Sequence, residues 1–290
     1  MVSREETHLV DQPAVLTNTD SPKRTVRIIT LRHAETVHNA ASLKLREKGM
    51  TWQSIRNELV KETEAQRLVD AELNAQGIEQ AKATGVSFAK LYPNLKYIFT
   101  SPLRRTVTTS VNIAESFFSI TKHRPDIILS PWAMKIFSEL QDLAIYSYEH
   151  LAKYPFIDRS ALSANPRFWF LDYMFENPVT NIKKELVFAC QQPDFLQRIA
   201  DITIKCVSTG VEKPSQAKKR IDKLKEQLKN FISDKEKAGI KVQDDEILVV
   251  SHGHLLAYML GLVEVLPSDI FVLESKAWQN TQIHPYDLEM

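Results

Sequence analysis

The sequence predicts an α/β protein, organised as a three-layer α/β/α sandwich with a mostly parallel central sheet and a helical insertion that forms a cap. Short, continuous apolar runs alternate with longer segments of helical character. Such runs are typical of parallel strands whose two faces are both covered by helices. The 290 residues are enough to bury one large core.

Four apolar runs predict the strands of this sheet. Each is short and rich in β-branched or aromatic residues. They are residues 26–31, 97–99, 126–129 and 246–250.

The segments between these runs predict the helices. Asn74 is the expected N-cap of one helix, because its side-chain oxygen can accept an otherwise unpaired backbone N–H. Ser215 is the expected N-cap of a long amphipathic helix. The predicted helical segments are 40–68 (one or two helices), 75–91, 103–118, 213–235 and 255–262.

The chain divides into a tail and one domain. Residues 1–24 carry early charges and lack an apolar stretch, so we expect a disordered tail and no secretory signal. Residues 25–290 are expected to form a single domain. Within it, residues of about 143–212 are rich in aromatic side chains without a simple period, and we expect them to form the cap insertion.

Composition and charge restrict the partners. The 37 Lys and Arg residues balance 36 Asp and Glu, which gives no electrostatic reason to expect nucleic acid or a membrane surface as a partner. Cys190 and Cys206 lack metal-site spacing. Two reduced thiols fit a reducing compartment, so we expect a cytoplasmic protein, with the nucleus also compatible.

Polar segments follow three of the predicted strands. Ligands of such sheets bind at the carboxyl ends of the strands, so these segments should meet at one rim. The segments are Arg32-His33, Ser101-Pro102 and Ser251-His252.

These residue types suit the binding of phosphate. His33 can act as a nucleophile if one ring nitrogen is free and the other is held by a hydrogen bond. Arg105, at a strand-to-helix junction, can hold two phosphate oxygens, and a protonated His252 would add positive charge. The alternatives are a His33 that only caps its strand and arginines that lie in solvent; of Arg104 and Arg105, one is expected to be solvated.

The same segments resemble known motifs. Leu31-Arg32-His33-Ala34-Glu35-Thr36 with Asn39 is similar to the signature of the histidine phosphatase superfamily, the phosphoglycerate mutase-like family. Residues 101–106 with Thr109 resemble its second motif, residues 250–253 its third, and residues 73–77 its helix entry. Residues 278–281 resemble the ending of fungal members. The resemblance covers about residues 26–110 and 246–262, and it implies a phosphoglycerate mutase-like fold.

The resemblance also implies roles. His33 would attack phosphorus and become a phosphohistidine, while Arg32, Arg105 and His252 hold the phosphoryl oxygens. A carboxylic acid would protonate the leaving oxygen. Further substrate contacts are implied for Thr36, Asn39, Ser101 and Gly253.

The identity of the acid is open. The family places a Glu in a Leu-x-Glu element, and this chain reads Phe137-Ser138-Glu139-Leu140-Gln141-Asp142. Asp142 fits the register after Leu140, whereas Glu139 fits the residue type but follows Phe137. We favour Asp142 on register and keep Glu139 as the alternative.

The expected function is therefore a metal-independent phosphomonoester hydrolase that needs no cofactor and acts on a phosphorylated small molecule. One alternative is a phosphoglycerate-type mutase, which returns the phosphoryl group to substrate. Another is a catalytically weak, phosphatase-like binding module. Lys183, Lys184, Lys205 and Arg198 are candidates to contact the rest of the substrate.

Overall fold

The structure is a computed structural model. Glu139, both cysteines, residues 1–23 of the predicted tail and most of the predicted cap lie outside the residues that it describes. The described residues are 24–61, 68–136, 142, 144, 146–162, 185, 188–189, 191–192, 194, 198, 212–266, 268, 270–272 and 279–290.

A five-stranded sheet lies at the centre of the molecule, in the order β3-β2-β4-β1-β7. Strands β1 to β4 are parallel, and β7 pairs antiparallel with β1. Strands β5 and β6 form a separate two-stranded sheet. The strands are β1 (Thr25–Arg32), β2 (Tyr97–Thr100), β3 (Asp126–Leu129), β4 (Ile247–Ser251), β5 (Glu264–Leu266), β6 (Ile270–Val272) and β7 (Ile283–Glu289).

The four predicted strands are confirmed, with bounds that shift by no more than a residue at either end. The three strands near the C-terminus were not predicted. β7 contains Pro285 and alternates polar with partly buried residues, because it is an edge strand whose only partner in the sheet is β1.

Seven α-helices are present among the described residues. None of the helices in this part of the chain is long and apolar enough to cross a membrane. The helices are α1 (Val37–Glu47), α2 (Trp52–Lys61), α3 (Ala75–Leu91), α4 (Arg104–Thr121), α5 (Ser147–Leu151), α6 (Pro214–Lys237) and α7 (Gly253–Met259).

One predicted helix cap is confirmed and one is wrong. The Asn74 side chain accepts a hydrogen bond from the backbone N–H of Gly77 at 2.7 Å. Helix α6 instead begins at Pro214 with Lys213 as N-cap, and Ser215 lies inside the helix. Proline is favoured at the first helical position, because its ring presets φ and it lacks an N–H that would otherwise be unpaired there.

Apolar side chains cover both faces of the sheet, which confirms the three-layer arrangement. Leu224 and Leu228 of α6 pack in one cluster with Val249 of β4. Phe88 of α3 packs in the other cluster with Val250 of β4. Neighbouring residues of β4 thus point to opposite helical layers, as the alternation of side chains along a strand requires.

The strand register brings the three polar segments together. Arg32 pairs with Ser251 across β1 and β4, and Thr100 pairs with Val250 across β2 and β4. Because the three strands are parallel and end level with one another, the residues that follow them meet at the carboxyl edge of the sheet.

Candidate functional site

His33 follows β1, and its backbone N–H donates to the carbonyl of Ser251 at 3.0 Å. Its Nδ1 lies 2.8 Å from the carbonyl oxygen of Ala34. A carbonyl oxygen only accepts, so Nδ1 carries the proton and Nε2 keeps a lone pair. Burial, followed by the charges of Arg105 and Arg32, holds the pKa of His33 well below its usual value. The imidazole is therefore neutral at pH 7 and has one nucleophilic nitrogen.

His252 lies beside His33, with 5.2 Å between the ring centroids. The Nε of Arg105 donates to its Nδ1 at 3.4 Å, and its Nε2 lies 3.0 Å from the Ser101 hydroxyl. Because arginine can only donate, Nε2 of His252 carries the proton and donates to Ser101. Burial and Arg105 hold the pKa of His252 well below its usual value, so in this structure the ring is a neutral donor rather than a cation.

Two guanidinium groups bring positive charge to the site. Arg105 is the second residue of α4, and only 4% of its surface is exposed. Burial and the neighbouring Arg105 lower the pKa of Arg32 to about 10, which leaves Arg32 charged at pH 7. Two like charges close together in a buried place favour the binding of an anion.

Asp142 is the predicted acid that the structure places in the site. Its carboxylate is fully buried and lies 3.4 Å from Nη2 of Arg105. The Nζ of Lys135 is 2.9 Å from its Oδ1. Glu139 lies outside the described residues, and the assignment of the proton donor stays a prediction.

Lys135 was not singled out in the sequence. It follows a short 3-10 helix (Pro131–Ala133), and the guanidinium of Arg220 on α6 donates to the carbonyls of Met134 and Lys135 at 2.9 and 3.2 Å. A lysine between Met134 and Ile136 belongs to no motif. Arg220, which holds the backbone around Lys135, lies far away in the chain. The position of Lys135 beside Asp142 therefore does not follow from local sequence.

The four predicted substrate-binding residues lie at helix starts or support the site. Thr36 and Asn39 form a capping box at the start of α1, with the Thr36 hydroxyl accepting from the Asn39 N–H at 3.0 Å. Ser101 is buried against His252. Gly253 is the first residue of α7. Direct contacts of these residues with a substrate stay predictions.

Small residues allow close packing behind His33. A Cβ on Gly77 would lie 2.0 Å from the carbonyl oxygen of Glu35, so only glycine fits there. Ala34 is fully buried beside Leu73. Its N–H donates to the Thr109 hydroxyl at 3.1 Å. The alanine is therefore accommodated.

The site thus combines a neutral imidazole, whose Nε2 keeps its lone pair, with two arginines, a lysine, a second imidazole and one carboxylate. Such a set can bind a phosphoryl group and stabilise the charge that develops on its oxygens. Within the described part of the chain, no group of three or more His, Cys, Asp or Glu side chains is arranged to hold a metal ion.

Comparisons with known proteins agree with the motifs. The family model of the histidine phosphatase superfamily (branch 1) matches residues 28–128. This region runs from within β1 into β3, and it includes Arg32, His33 and Arg105. No curated protein sequence matches the chain.

Several solved structures are similar to the chain. A mycobacterial glucosyl-3-phosphoglycerate phosphatase is 16% identical, with a TM-score of 0.44 and coverage of 91% of each chain. A phosphoserine phosphatase from Entamoeba histolytica is 19% identical, with a TM-score of 0.42 over 90% of this chain and 89% of that one. A phosphoglycerate mutase from Bacillus anthracis is 14% identical, with a TM-score of 0.41 over 91% of this chain and 88% of that one.

With TM-scores below 0.5, these likenesses decide nothing about activity or substrate. Over residues 28–128, about a third of its length, the chain is similar to the histidine phosphatase superfamily, branch 1.

Proposed function

We propose that the protein is a phosphomonoester hydrolase that forms a phosphohistidine on His33 and acts on a phosphorylated small molecule. The observation that carries this proposal is the state of His33. Its Nδ1 faces the Ala34 carbonyl, so its Nε2 lone pair is available beside buried Arg105. A nucleophile next to a site for anions is what phosphoryl transfer to a protein side chain requires.

The first step transfers the phosphoryl group to His33. The Nε2 lone pair forms a bond to phosphorus while the bond between phosphorus and the leaving oxygen breaks. Arg32, Arg105 and Lys135 balance the charge on the phosphoryl oxygens. The leaving oxygen takes a proton from a carboxylic acid, for which Asp142 is the candidate. A bound phosphoryl dianion favours the protonated form of that nearby carboxyl, because like charges disfavour ionisation.

The second step releases phosphate. Water attacks phosphorus and gives a proton to the carboxylate, so the acid is restored. The bond between phosphorus and Nε2 breaks, and its electron pair returns to the imidazole. The net reaction converts a phosphomonoester and water into an alcohol and inorganic phosphate.

Hydrolysis of p-nitrophenyl phosphate by the purified full chain tests the proposal. We expect His33→Ala to abolish turnover and EDTA to leave it unchanged, since every group in the proposed steps is a side chain. His123, exposed just beyond the C-terminal end of α4, supplies the matched control His123→Ala, which should retain full activity. Full activity of His33→Ala would refute the proposal.

Two further measurements separate the alternatives. Interconversion of 3-phosphoglycerate in the presence of 2,3-bisphosphoglycerate, at a rate above hydrolysis, would favour a mutase. Binding of inorganic phosphate without any turnover across a set of phosphorylated metabolites would favour a binding module. Phosphate release that depends on His33 supports the hydrolase.

A further inference from the structure

Asp70 is a buried carboxylate that the proposed steps do not use. It precedes α3, is fully buried, and has a left-handed backbone with φ of 45°. Its Oδ1 accepts a hydrogen bond from the backbone N–H of Arg104 at 2.9 Å. Its Oδ2 accepts one from the Ser147 hydroxyl at 3.0 Å. One side chain thus joins the first residues of α4 and α5.

At the start of α4, Asp70 takes the place of a local helix cap. The residue in the N-cap position, Leu103, has no side-chain cap hydrogen bond. The carboxylate of Asp70 supplies the missing acceptor, and its negative charge lies at the positive end of the helix. Arg105 is the next residue of the same turn, so the contact with Asp70 bears directly on the position of its backbone.

Arg104 strengthens the same junction. Its Nε donates to the Asp70 carbonyl at 2.6 Å, and its Nη1 donates to Glu72 at 2.9 Å. Its guanidinium carbon lies 4.7 Å from the centroid of the Tyr146 ring. The expectation that either Arg104 or Arg105 is solvated is therefore wrong. Arg105 is buried, and the segment around Asp70 covers Arg104.

The other end of the junction leads to Asp142. Tyr146 and Ser147 follow Asp142 closely in the chain, and Ser147 is fully buried. The carboxylate of Asp70 therefore lies between the helix turn that carries Arg105 and the segment that carries Asp142. These two residues face each other in the site at 3.4 Å.

We propose that Asp70 is a positioning residue whose carboxylate holds the first turn of α4 against the start of α5, and so sets the placement of Arg105 relative to Asp142. Asp70 itself does not contact the substrate. The inference rests on the proposed hydrolase function, because its effect is read through that site.

The charge of Asp70 supports this role. Burial raises its pKa from 3.8 to about 6, against the opposing effects of Arg104, Arg105 and the Ser147 hydroxyl. On the α5 side, Tyr146 also faces this carboxylate, and Glu72 lies on its own segment. Asp70 is therefore ionised at neutral pH and becomes neutral in mildly acidic solution.

Asp70→Asn tests the proposal, because asparagine keeps the volume, tolerates the left-handed backbone and can still cap α4 through Oδ1. Only the charge and the acceptor for Ser147 are lost. We expect kcat/KM for p-nitrophenyl phosphate to fall about tenfold at pH 7.5, the effect of one charge-assisted hydrogen bond. Below pH 5 the two proteins should converge, because Asp70 is then neutral in both. A purely structural cap would give equal kcat/KM at every pH, and this result would overturn the proposal.

Ser147→Ala provides a milder second variant. It removes one hydrogen bond and keeps the charge, so we expect a fall of about threefold in kcat/KM at pH 7.5. The pH profile should move to higher pH, because the Ser147 hydroxyl lowers the pKa of Asp70. If the proposed hydrolase function is wrong, the unmodified chain itself will show no turnover. The affinity of each protein for orthovanadate, measured by calorimetry, then serves as the readout in place of kcat/KM. A tenfold weaker affinity of Asp70→Asn at pH 7.5 supports the positioning role, and equal affinity refutes it.

Discussion

Lys135 and Asp142 form a buried ion pair, with 2.9 Å between Nζ and Oδ1. The same carboxylate lies 3.4 Å from Nη2 of Arg105, and it therefore neutralises only part of the positive charge around it. Removing one partner of a buried ion pair leaves the other charge uncompensated. The pair thus makes Lys135 and Asp142 mutually dependent, and it leaves a net positive site that suits a phosphoryl dianion.

Lys135→Met should lower kcat/KM for p-nitrophenyl phosphate by about tenfold to a hundredfold, mainly through KM, because one cation of the proposed phosphate site is lost. Steady-state kinetics at pH 7.5 measure this effect. Lys82, exposed on α3 in a surface pair with Glu79, provides the control Lys82→Met, which should be unaffected. A KM for Lys135→Met equal to that of the unmodified chain would exclude Lys135 from phosphate binding.

Asp142→Asn should affect substrates according to their leaving groups. An alkyl phosphate such as β-glycerophosphate needs a proton on its leaving oxygen, so its kcat should fall by about a hundredfold or more. p-Nitrophenolate leaves without one, and the fall should be smaller. The comparison variant Glu139→Gln should behave as the unmodified chain for both substrates. The reverse pattern, with Glu139→Gln selectively defective on the alkyl phosphate, would transfer the donor role to Glu139.

The stability of the protein should fall in acid through His33. Its pKa in the folded state is well below its usual value, because of burial and then Arg105, whereas the unfolded chain binds a proton near pH 6.5. The unfolded state therefore gains protons first as the pH falls below about 6.5, and the free energy of unfolding decreases. Urea unfolding at pH 7.5 and 5 should show a smaller decrease for His33→Asn than for the unmodified chain. Equal decreases would show that His33 titrates normally in the folded protein.

Ionised Asp70 should lower the free energy of unfolding at neutral pH, although it supports activity there. Its folded pKa is raised by burial to about 6 from 3.8, so its ionisation costs stability as the pH rises from about 4 to about 6. The cost approaches about 3 kcal/mol above that range. Asp70→Asn should therefore be more stable than the unmodified chain at pH 7.5 while less active, and this advantage should vanish near pH 4. Urea unfolding of both proteins at the two pH values measures this difference, and a variant less stable at pH 7.5 would contradict it.

Much of the site follows from local sequence. The apolar run before Arg32-His33 and the Val-Val run before Ser251-His252 predict strand ends, and parallel strands place their carboxyl ends at one edge. The choice of His33, Arg105 and His252 rested on this rule together with the resemblance of the three segments to known motifs. The N-cap at Asn74 was likewise predictable, because the cap hydrogen bond joins residues of the same turn.

Other features depend on contacts between residues far apart in the chain. β7 pairs with β1, and the backbone N–H of Thr281 donates to the carbonyl of Arg32 at 3.1 Å. No local pattern marks residues 279–290 as neighbours of the strand that carries His33. The remote cap of α4 by Asp70 escaped prediction for the same reason, since Leu103 at the N-cap position has no capping side chain of its own.

The α/β class, the four parallel strands and the arginine and histidine side chains at their ends could all be predicted from local sequence, because these features follow from short patterns along the chain. Folding was needed to show that His33 is neutral with an unprotonated Nε2, that Lys135 pairs with Asp142 and that Asp70 joins α4 to α5. Protonation states and ion pairs depend on burial and on distances of a few ångströms between distant segments. Those quantities exist only once the chain is folded.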